Sequence, residues 1–496
     1  MVERVGGQGA TVLYMDEVAA SLGEIESLPP AGIGLAAAAG LRRLDGGRIL
    51  IGGSPLRIVR LADAGAAVVD AWLDGTPLAD VKSARGLARR LLDAGLVHPV
   101  VVPAADPPAV TAVVPAWNCA EVLARLLPTL QVPAIVVDDA SDSPLDIDGA
   151  ATEITVLRLP ENGGPGAARM SGLAAARTDL VAFVDADVVL PSGWWAGLAP
   201  YFDDPAVVAV APRVASAPGP SLRERYEEAH SPLDIGTRPA SVGPKRFVAY
   251  VPSAALVVRK SAVTEVGGFD PELRVGEDVD LIWRLAAIGT VRYAPEVVAL
   301  HAPRSSWLRM IRQRVQYGSS AVPLAARHGD VVAPARCSRW SLAAWGAAIG
   351  GFPIIGSAIA AASSAALVKK LGEIPNAPRE AARLAGWGNV QAALGLCRAT
   401  SRVWWPVAIP MAARSRRLRR GVAAAMVVPA ALDWWQGHRP TDPVRSVALR
   451  VADDMAYGVG VWAQVLRSRD YGALVPDLTE WPGRRQAVEP ITVPKS

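Results

Sequence analysis

The chain has 496 residues, about half hydrophobic and a fifth charged, which is too long for one ordinary domain and ample for a buried core. Its formal net charge is only +4 with basic residues spread along it, which gives no electrostatic case for nucleic acid apart from one local arginine run. Three widely spaced cysteines, Cys119, Cys337 and Cys397, exclude a disulfide framework and a zinc site and fit a reducing compartment.

The N-terminus has no charged-then-apolar leader pattern, so the catalytic part is expected to stay in the cytoplasm. Residues 1–24 show no clear periodicity. Arg48–Gly52 reads as a short strand, and Ile58, Leu61, Ala66, Val69 and Trp72 predict one helix, ended by Gly75. Leu87, Leu91 and Leu92 predict a second, ending at Gly95. Residues 1–102 therefore read as a small α/β, winged-helix-like module, with a Pro-rich linker at 103–109.

From Val110 the pattern changes. Val110–Val114, Ala134–Val137, Ile154–Leu159 and Leu180–Val184 are strand candidates, and Cys119–Leu130 and Pro165–Arg177 are helix candidates between them. Strands alternating with helices predict a mostly parallel sheet built from right-handed crossovers, covered on both faces. Residues 110–320 form this α/β domain. Beyond it, residues 321–496 read as helical. Ser341–Val368 contains no charged residue, and the run Arg414, Arg416, Arg417, Arg419, Arg420 suits anionic lipid headgroups as well as it suits RNA. The uncharged stretch is either a membrane segment or a buried helical hairpin. The expected place of the chain is the cytoplasmic face of the membrane, on an anionic surface.

Polar residues gather after the carboxyl ends of the strands, where open α/β sheets bind ligands. In order these are VPAWN (114–118), VDDAS (137–141), ENGGPGAAR (161–169), VDADV (184–188) and, far downstream, VGEDVD (275–280). A nucleotide sugar needs a base pocket, a hold on two phosphates and a charge sink for the leaving diphosphate. Pro115 and Asn118 shape the first turn. Asp138 or Asp139 can accept from uracil N–H or ribose hydroxyls. Gly164 and its neighbours can bring backbone N–H groups to phosphate at a helix N-terminus, with Arg169 one turn inside. Of Asp185 and Asp187, one can contact ribose while the other ligates a hard divalent ion. Asp278 is the candidate general base, with Glu277 beside it to orient the acceptor. His301 is a candidate metal or phosphate contact. Trp194, Trp195 and Trp283 are either sugar platforms or packing residues. Singly each motif has an ordinary structural reading, such as Asp139 as a helix cap; their order on one alternating sheet favours the functional one.

These motifs, followed by the basic helix RMIRQRVQYG, resemble glycosyltransferase family 2 across residues 110–320. The resemblance implies a GT-A fold, a nucleoside-diphosphate sugar donor, Mg²⁺ or Mn²⁺, and inversion at the anomeric carbon. Residue by residue it puts Asp138 or Asp139 at the nucleotide-binding aspartate, Asp187 at the metal position and Asp278 at the catalytic base. Arg312–Gln316 departs from the QxxRW motif of processive cellulose-synthase-like members, which argues against extrusion.

The front module, with GSPLRIVRL (53–61) and LDAGL (92–96), resembles the small peptide-chaperone domains of ribosomal-peptide redox-cofactor pathways. Fused ahead of a family 2 enzyme, it is similar to the glycosyltransferases of the actinobacterial mycofactocin system. That implies glucose transfer from UDP-glucose to a peptide-derived cofactor precursor, building a short β-1,4-glucan, with the module docking the acceptor. Two alternatives stand beside it: a family 2 transferase acting on a polyprenyl phosphate or cell-wall glycan, and a non-catalytic peptide-binding protein. A dehydrogenase is excluded, because Pro115–Asn118 lacks the GxGxxG fingerprint.

Overall fold

The computed structural model describes residues 2–5, 10–13, 27–145, 147, 153–372 and 374–479. The front module contains β1 (Val2–Val5), β2 (Ala10–Leu13), β3 (Gly34–Ala37), β4 (Arg42–Leu44), β5 (Ile49–Gly52), β6 (Arg57–Arg60) and β7 (Val97–Val100). One sheet runs β1-β2-β6-β5-β4, and β3 pairs with β7. Helices Asp63–Leu73 and Lys82–Asp93 cover one face. Side chains alternate across a strand, so the two faces of β5 and β6 have different partners. Leu50 and Val59 pack on the module's own helices with Val69, Trp72 and Leu91. Ile49, Ile51 and Ile58 pack outward on Leu367, Leu371 and Ala381 of the C-terminal region. This corrects the helix expected to include Ile58. A strand buried on both faces reads as a nearly continuous apolar run, which a helical template also matches.

The central sheet contains β8 (Val110–Ala116), β9 (Ala134–Asp138), β10 (Ile154–Arg158), β11 (Leu180–Val184), β12 (Val188–Val189), β13 (Val207–Ser216), β14 (Ala240–Val242), β15 (Ala255–Arg259) and β16 (Thr290–His301). Its order is β10-β9-β8-β11-β15-β13-β16-β12, with β14 also on β16. The first four strands are mutually parallel; β15 runs antiparallel to β11 and β13. One face is filled by Leu123, Leu126 and Trp195, the other by Leu173, Leu281 and Trp283. Gly172 lets helix Gly164–Ala175 lie close on the sheet, since a β-carbon there would meet Val113 Cγ1 at 2.3 Å. This is the GT-A architecture that the motif order implied.

The C-terminal region is helical: Arg339–Ile349, Pro353–Leu371, Ala377–Ala399, Arg416–Trp435 and Pro443–Ser468 are its longer helices. The uncharged stretch 341–368 is broken at 350–352, and Pro353, which has no N–H to donate, opens the second helix. Two short parallel strands, β17 (Arg336–Ser338) and β18 (Asp477–Thr479), tie the end of the described region to its beginning.

Packing crosses all the expected boundaries at 102, 109 and 320. Arg89, buried, donates to Asp204 at 2.5 Å. Arg246 donates to the Asp93 carbonyl at 3.0 Å. The segment 103–109 is fastened too: Ala104 N–H donates to the Ala196 carbonyl and the Trp195 indole to the Pro108 carbonyl. Helix Pro443–Ser468 crosses helix Trp307–Ser319 at glycines, where a β-carbon on Gly318 or Gly460 would meet a backbone oxygen of the other helix at 1.9 Å. Arg314 and Asp453, both buried, join at 2.6 Å in the same crossing.

Candidate active site

The register of the sheet brings the motifs level. Pro115 lies opposite Val137 and Ala116 opposite Asp138, so the ends of β8 and β9 open on one edge. Asn118, in the left-handed region at φ 49°, exchanges two hydrogen bonds with Asp142 and fixes the loop after β9. Asp138 is buried and accepts from Ser141 N–H at 2.9 Å and from Arg158 at 2.6 Å. Burial works to raise its carboxyl, but the bonds from Ser141 and the Arg158 charge outweigh it and hold the pKa below the ordinary range.

Asp139 turns the other way. Its two oxygens accept from Gly163 N–H and Gly164 N–H, each at 2.9 Å. Gly164 has φ +84°, a conformation that favours glycine. These two N–H groups, expected to face phosphate, are held by Asp139, because a carboxylate at a helix N-terminus is itself a good anion for them.

Arg169, expected to reach phosphate or the nucleotide, makes carboxylate contacts within the chain. It is buried and joins two motifs, donating to Asp185 Oδ1 at 2.5 Å and to Glu277 Oε1 at 3.3 Å. Asp278 follows at the start of helix Glu277–Ile288, accepting from Ser253 N–H at 3.4 Å. Desolvation raises the pKa of Asp278, with Arg169 opposing it. Glu277 is raised as well, by burial first and by the Asp278 charge second. Asp187 lies across the site. The pairing of Val188 with His301 sets His301 Nε2 3.1 Å from Asp187 Oδ2. Arg304 Nη1 is 3.5 Å from the same oxygen. Burial would raise Asp187, yet His301 and Arg304 prevail and lower it.

A model of glycosyl transferase family 2 matches residues 111–264. Two curated relatives, each called pre-mycofactocin glycosyltransferase and each from Mycobacterium tuberculosis (strains CDC 1551 / Oshkosh and ATCC 25618 / H37Rv), are 40% identical over 456 residues, which is 88% of this chain and 96% of theirs. The chain belongs to the pre-mycofactocin glycosyltransferases of family 2. Among solved structures, a mannosyltransferase from Pyrobaculum calidifontis in complex with GDP-Man and Mn²⁺ is 20% identical at TM-score 0.39, covering 73% of this chain and 90% of that one. GalNAc-T7 with UDP, GalNAc and Mn²⁺ is 15% identical at TM-score 0.32, covering 47% and 53%.

In this glycosyltransferase, Asp185, Arg169, Glu277 and Asp278 form one group, Asp187 and His301 a second, and Pro115, Asn118 and Asp138 a third around the ends of β8 and β9. The tryptophans lie elsewhere. Trp194, Trp195 and Trp283 are buried, and their indole N–H groups donate to the carbonyls of Leu130, Pro108 and Ala249. They pack the core, so the sugar-platform reading is withdrawn. Trp117, 56% exposed in the first turn, is the aromatic ring left open at this edge. Two cations escaped the sequence reading. Arg158 ends β10 and reaches Asp138, and Arg304 follows His301 in a loop whose backbone N–H donates to Glu227 at 2.8 Å. A positive residue at a strand end, or three residues past a candidate ligand, was the available signal.

Proposed function

We propose that the protein is a metal-dependent, inverting transferase that moves glucose from UDP-glucose to a peptide-derived redox-cofactor precursor, building a short β-1,4-glucan. The observation that carries this reading is the double contact of Arg169, which gathers Asp185 of the DxD motif and Glu277 of the GED motif at one point. Donor and acceptor machinery, more than a hundred positions apart in sequence for Arg169 and Glu277, then share a site. The likeness to two pre-mycofactocin glycosyltransferases supports the choice of acceptor.

Asp278 takes the proton from the acceptor hydroxyl as it attacks. A carboxylate raised by burial is a stronger base than a free one, and general-base help of this kind contributes roughly 10²–10⁴ in rate. Glu277, held by Arg169, orients the acceptor. Attack from the face opposite the leaving diphosphate inverts the anomeric carbon. Asp138, fixed by Ser141 and Arg158, walls the nucleotide pocket, while Asp139 keeps the glycine turn in shape.

The metal fits as a shared ligand set. Among the described residues, no three His, Cys, Asp or Glu side chains form a cluster able to hold an ion by themselves. Asp187 and His301 supply an oxygen and a nitrogen 3.1 Å apart. Adjacent corners of an octahedron with bonds of about 2.1 Å are separated by about 3 Å, and Mg²⁺ commonly takes one or two protein ligands with substrate phosphates. Mg²⁺ or Mn²⁺ held there would supply positive charge against the diphosphate as it leaves. Arg304 adds a second positive charge on that side. The front module, seated on the catalytic sheet through Arg89 and Arg246, holds the acceptor peptide portion at a fixed distance from Asp278.

Purified protein given a panel of nucleotide sugars and the cofactor precursor, with products read by mass spectrometry, is expected to add successive hexoses from UDP-glucose. EDTA should stop the reaction, and Mg²⁺ or Mn²⁺ should restore it. Transfer to polyprenyl phosphate and not to the precursor would put the lipid acceptor in first place, and full turnover in excess EDTA would remove the metal.

A further inference from the structure

Between Arg339 and Leu432 the chain carries twelve basic residues and two acidic ones, Glu373 and Glu380. Glu380 is already held by Arg42 through two hydrogen bonds. From residue 381 to 432 no acidic residue occurs. This excess of positive charge is joined to exposed apolar surface. Helices Arg339–Ile349 and Pro353–Leu371 fold back on each other, with Gly356 so close to Ala344 that a β-carbon would lie 2.5 Å from its carbonyl oxygen. At the tip of this hairpin Ile349 is 55% exposed, Phe352 60%, Ile354 84% and Ile355 52%. Four large apolar side chains more than half exposed at one turn form an apolar patch that the fold leaves uncovered.

The arginine run stands beside that tip. Arg417 lies over Gly351, where a β-carbon would be 2.5 Å from its guanidinium, and Gly421 adjoins Ile349. None of Arg414, Arg416, Arg417, Arg419 and Arg420 has an acidic partner among the described residues. Exposed apolar side chains beside guanidinium groups that have no acidic partner among the described residues are the chemistry of an interfacial anchor: the first enter the acyl boundary, the second meet anionic headgroups.

The depth follows from the other end of the hairpin. Pro353–Leu371 is the single helix among the described residues that is long and apolar enough to cross a membrane by length and composition. Its last turns are occupied, however. Leu367 and Leu371 are buried against Ile49, Ile51 and Ile58 of the front module. From Pro353 to Leu367 the helix rises only about 21 Å at 1.5 Å per residue, short of the roughly 30 Å of hydrocarbon. We infer that the tip Ile349–Ile355 enters one leaflet of an anionic membrane, with the neighbouring arginines on its headgroups, and that the helix does not cross. The front module and the catalytic sheet then sit together on the side the tip entered from.

Flotation of the full chain with vesicles tests this. It should float with phosphatidylcholine–phosphatidylglycerol vesicles, poorly with phosphatidylcholine alone, and less as salt rises. The pair Ile354→Asp and Ile355→Asp should lose flotation with an unchanged thermal melt. Replacing Arg416, Arg417, Arg419 and Arg420 by Gln should lose the preference for phosphatidylglycerol. Ile354→Cys, compared with the parent protein and its three cysteines, should be shielded by vesicles from impermeant maleimide added outside or enclosed inside. No flotation in low salt overturns the inference. Labelling of Ile354→Cys from the enclosed side also overturns it, since the helix would then cross. A tip variant that changes sedimentation of the free protein and leaves flotation intact does so as well, because the face would then join two copies.

Discussion

The central sheet and the C-terminal helices treat their chemistry in opposite ways. In and around the sheet, buried charges are answered in pairs, Arg169 by Asp185 and Glu277, Asp138 by Arg158 and Arg89 by Asp204, with Arg292 the exception, its guanidinium buried without a hydrogen-bond partner among the described residues. In the helices, apolar side chains are exposed around the turn at 350–352, and Arg417 beside it has no acidic partner among the described residues. A site that must aim groups at a reacting bond needs each one locked by a partner. A surface meant to meet a partner leaves its groups open. The one region answers its groups within the chain, and the other leaves them open.

Three substitutions would break or sharpen that contrast. The largest effect is expected at the base. Asp278→Asn keeps the shape and removes the basicity, so turnover should fall by roughly 10²–10⁴, with donor binding and thermal melt retained. The pH–rate profile gives the sign. The reactive form is the anion and burial raises the pKa of Asp278, so the parent enzyme should lose rate as pH falls through a value above the ordinary carboxylate range near 4. The residual activity of the Asn variant should lack that limb. Loss of donor binding measured by calorimetry would move Asp278 to the nucleotide site.

The next effect concerns stability. Asp204→Ala takes the shortest-bonded partner from Arg89, which is 5% exposed at the junction of front module and sheet and keeps, among the described residues, only Asp93 at 3.3 Å and the Ser27 carbonyl, so the loss should approach that of a buried pair broken from one side. Breaking a buried pair from one side costs about 3–5 kcal/mol, readable as a lowered urea midpoint. A shift within error would mean that the module is only loosely seated. The smallest effect belongs to the helices. Trp387 is 63% exposed, so Trp387→Ser should change the folding free energy by no more than about 0.5 kcal/mol in detergent-free buffer. A large loss there would show that the helical face is completed within the chain after all.

Legibility divides along the same line. The motifs were readable because a parallel sheet puts ligand residues at strand ends, and strand ends are local features of sequence. Asp185, Asp187, Glu277, Asp278 and His301 do gather around one edge. What the sequence hid was the pairing. Arg169 faces a carboxylate 108 positions away, and Arg304 one 117 positions away. No spacing rule reports such distances. Which of Asp138 and Asp139 fastens the glycine turn was hidden for a related reason: the partners of Asp139 are two backbone N–H groups, which every residue but proline carries. Ile58 misled because burial on two faces erases the alternation that marks a strand. The break at 350–352 was foreshadowed by Pro353, whereas the exposure of its flanks depends on which helices pack beside it.

The grip of Asp139 on Gly163 and Gly164 bears on the thermodynamics of donor capture. Glycine-rich turns are the most pliable stretches of a chain, and fixing one residue's backbone costs about 1–2 kcal/mol of entropy. Here that loss falls when the polypeptide folds, because the carboxylate closes two rings through the turn without any help from a nucleotide. An incoming sugar nucleotide therefore meets a rigid lip, and its binding free energy is not diminished by loop ordering at that point. The negative charge that does the fastening lies at the very helix end that would otherwise attract phosphate, so the turn contributes shape to recognition and leaves attraction to cations such as Arg158 and Arg304.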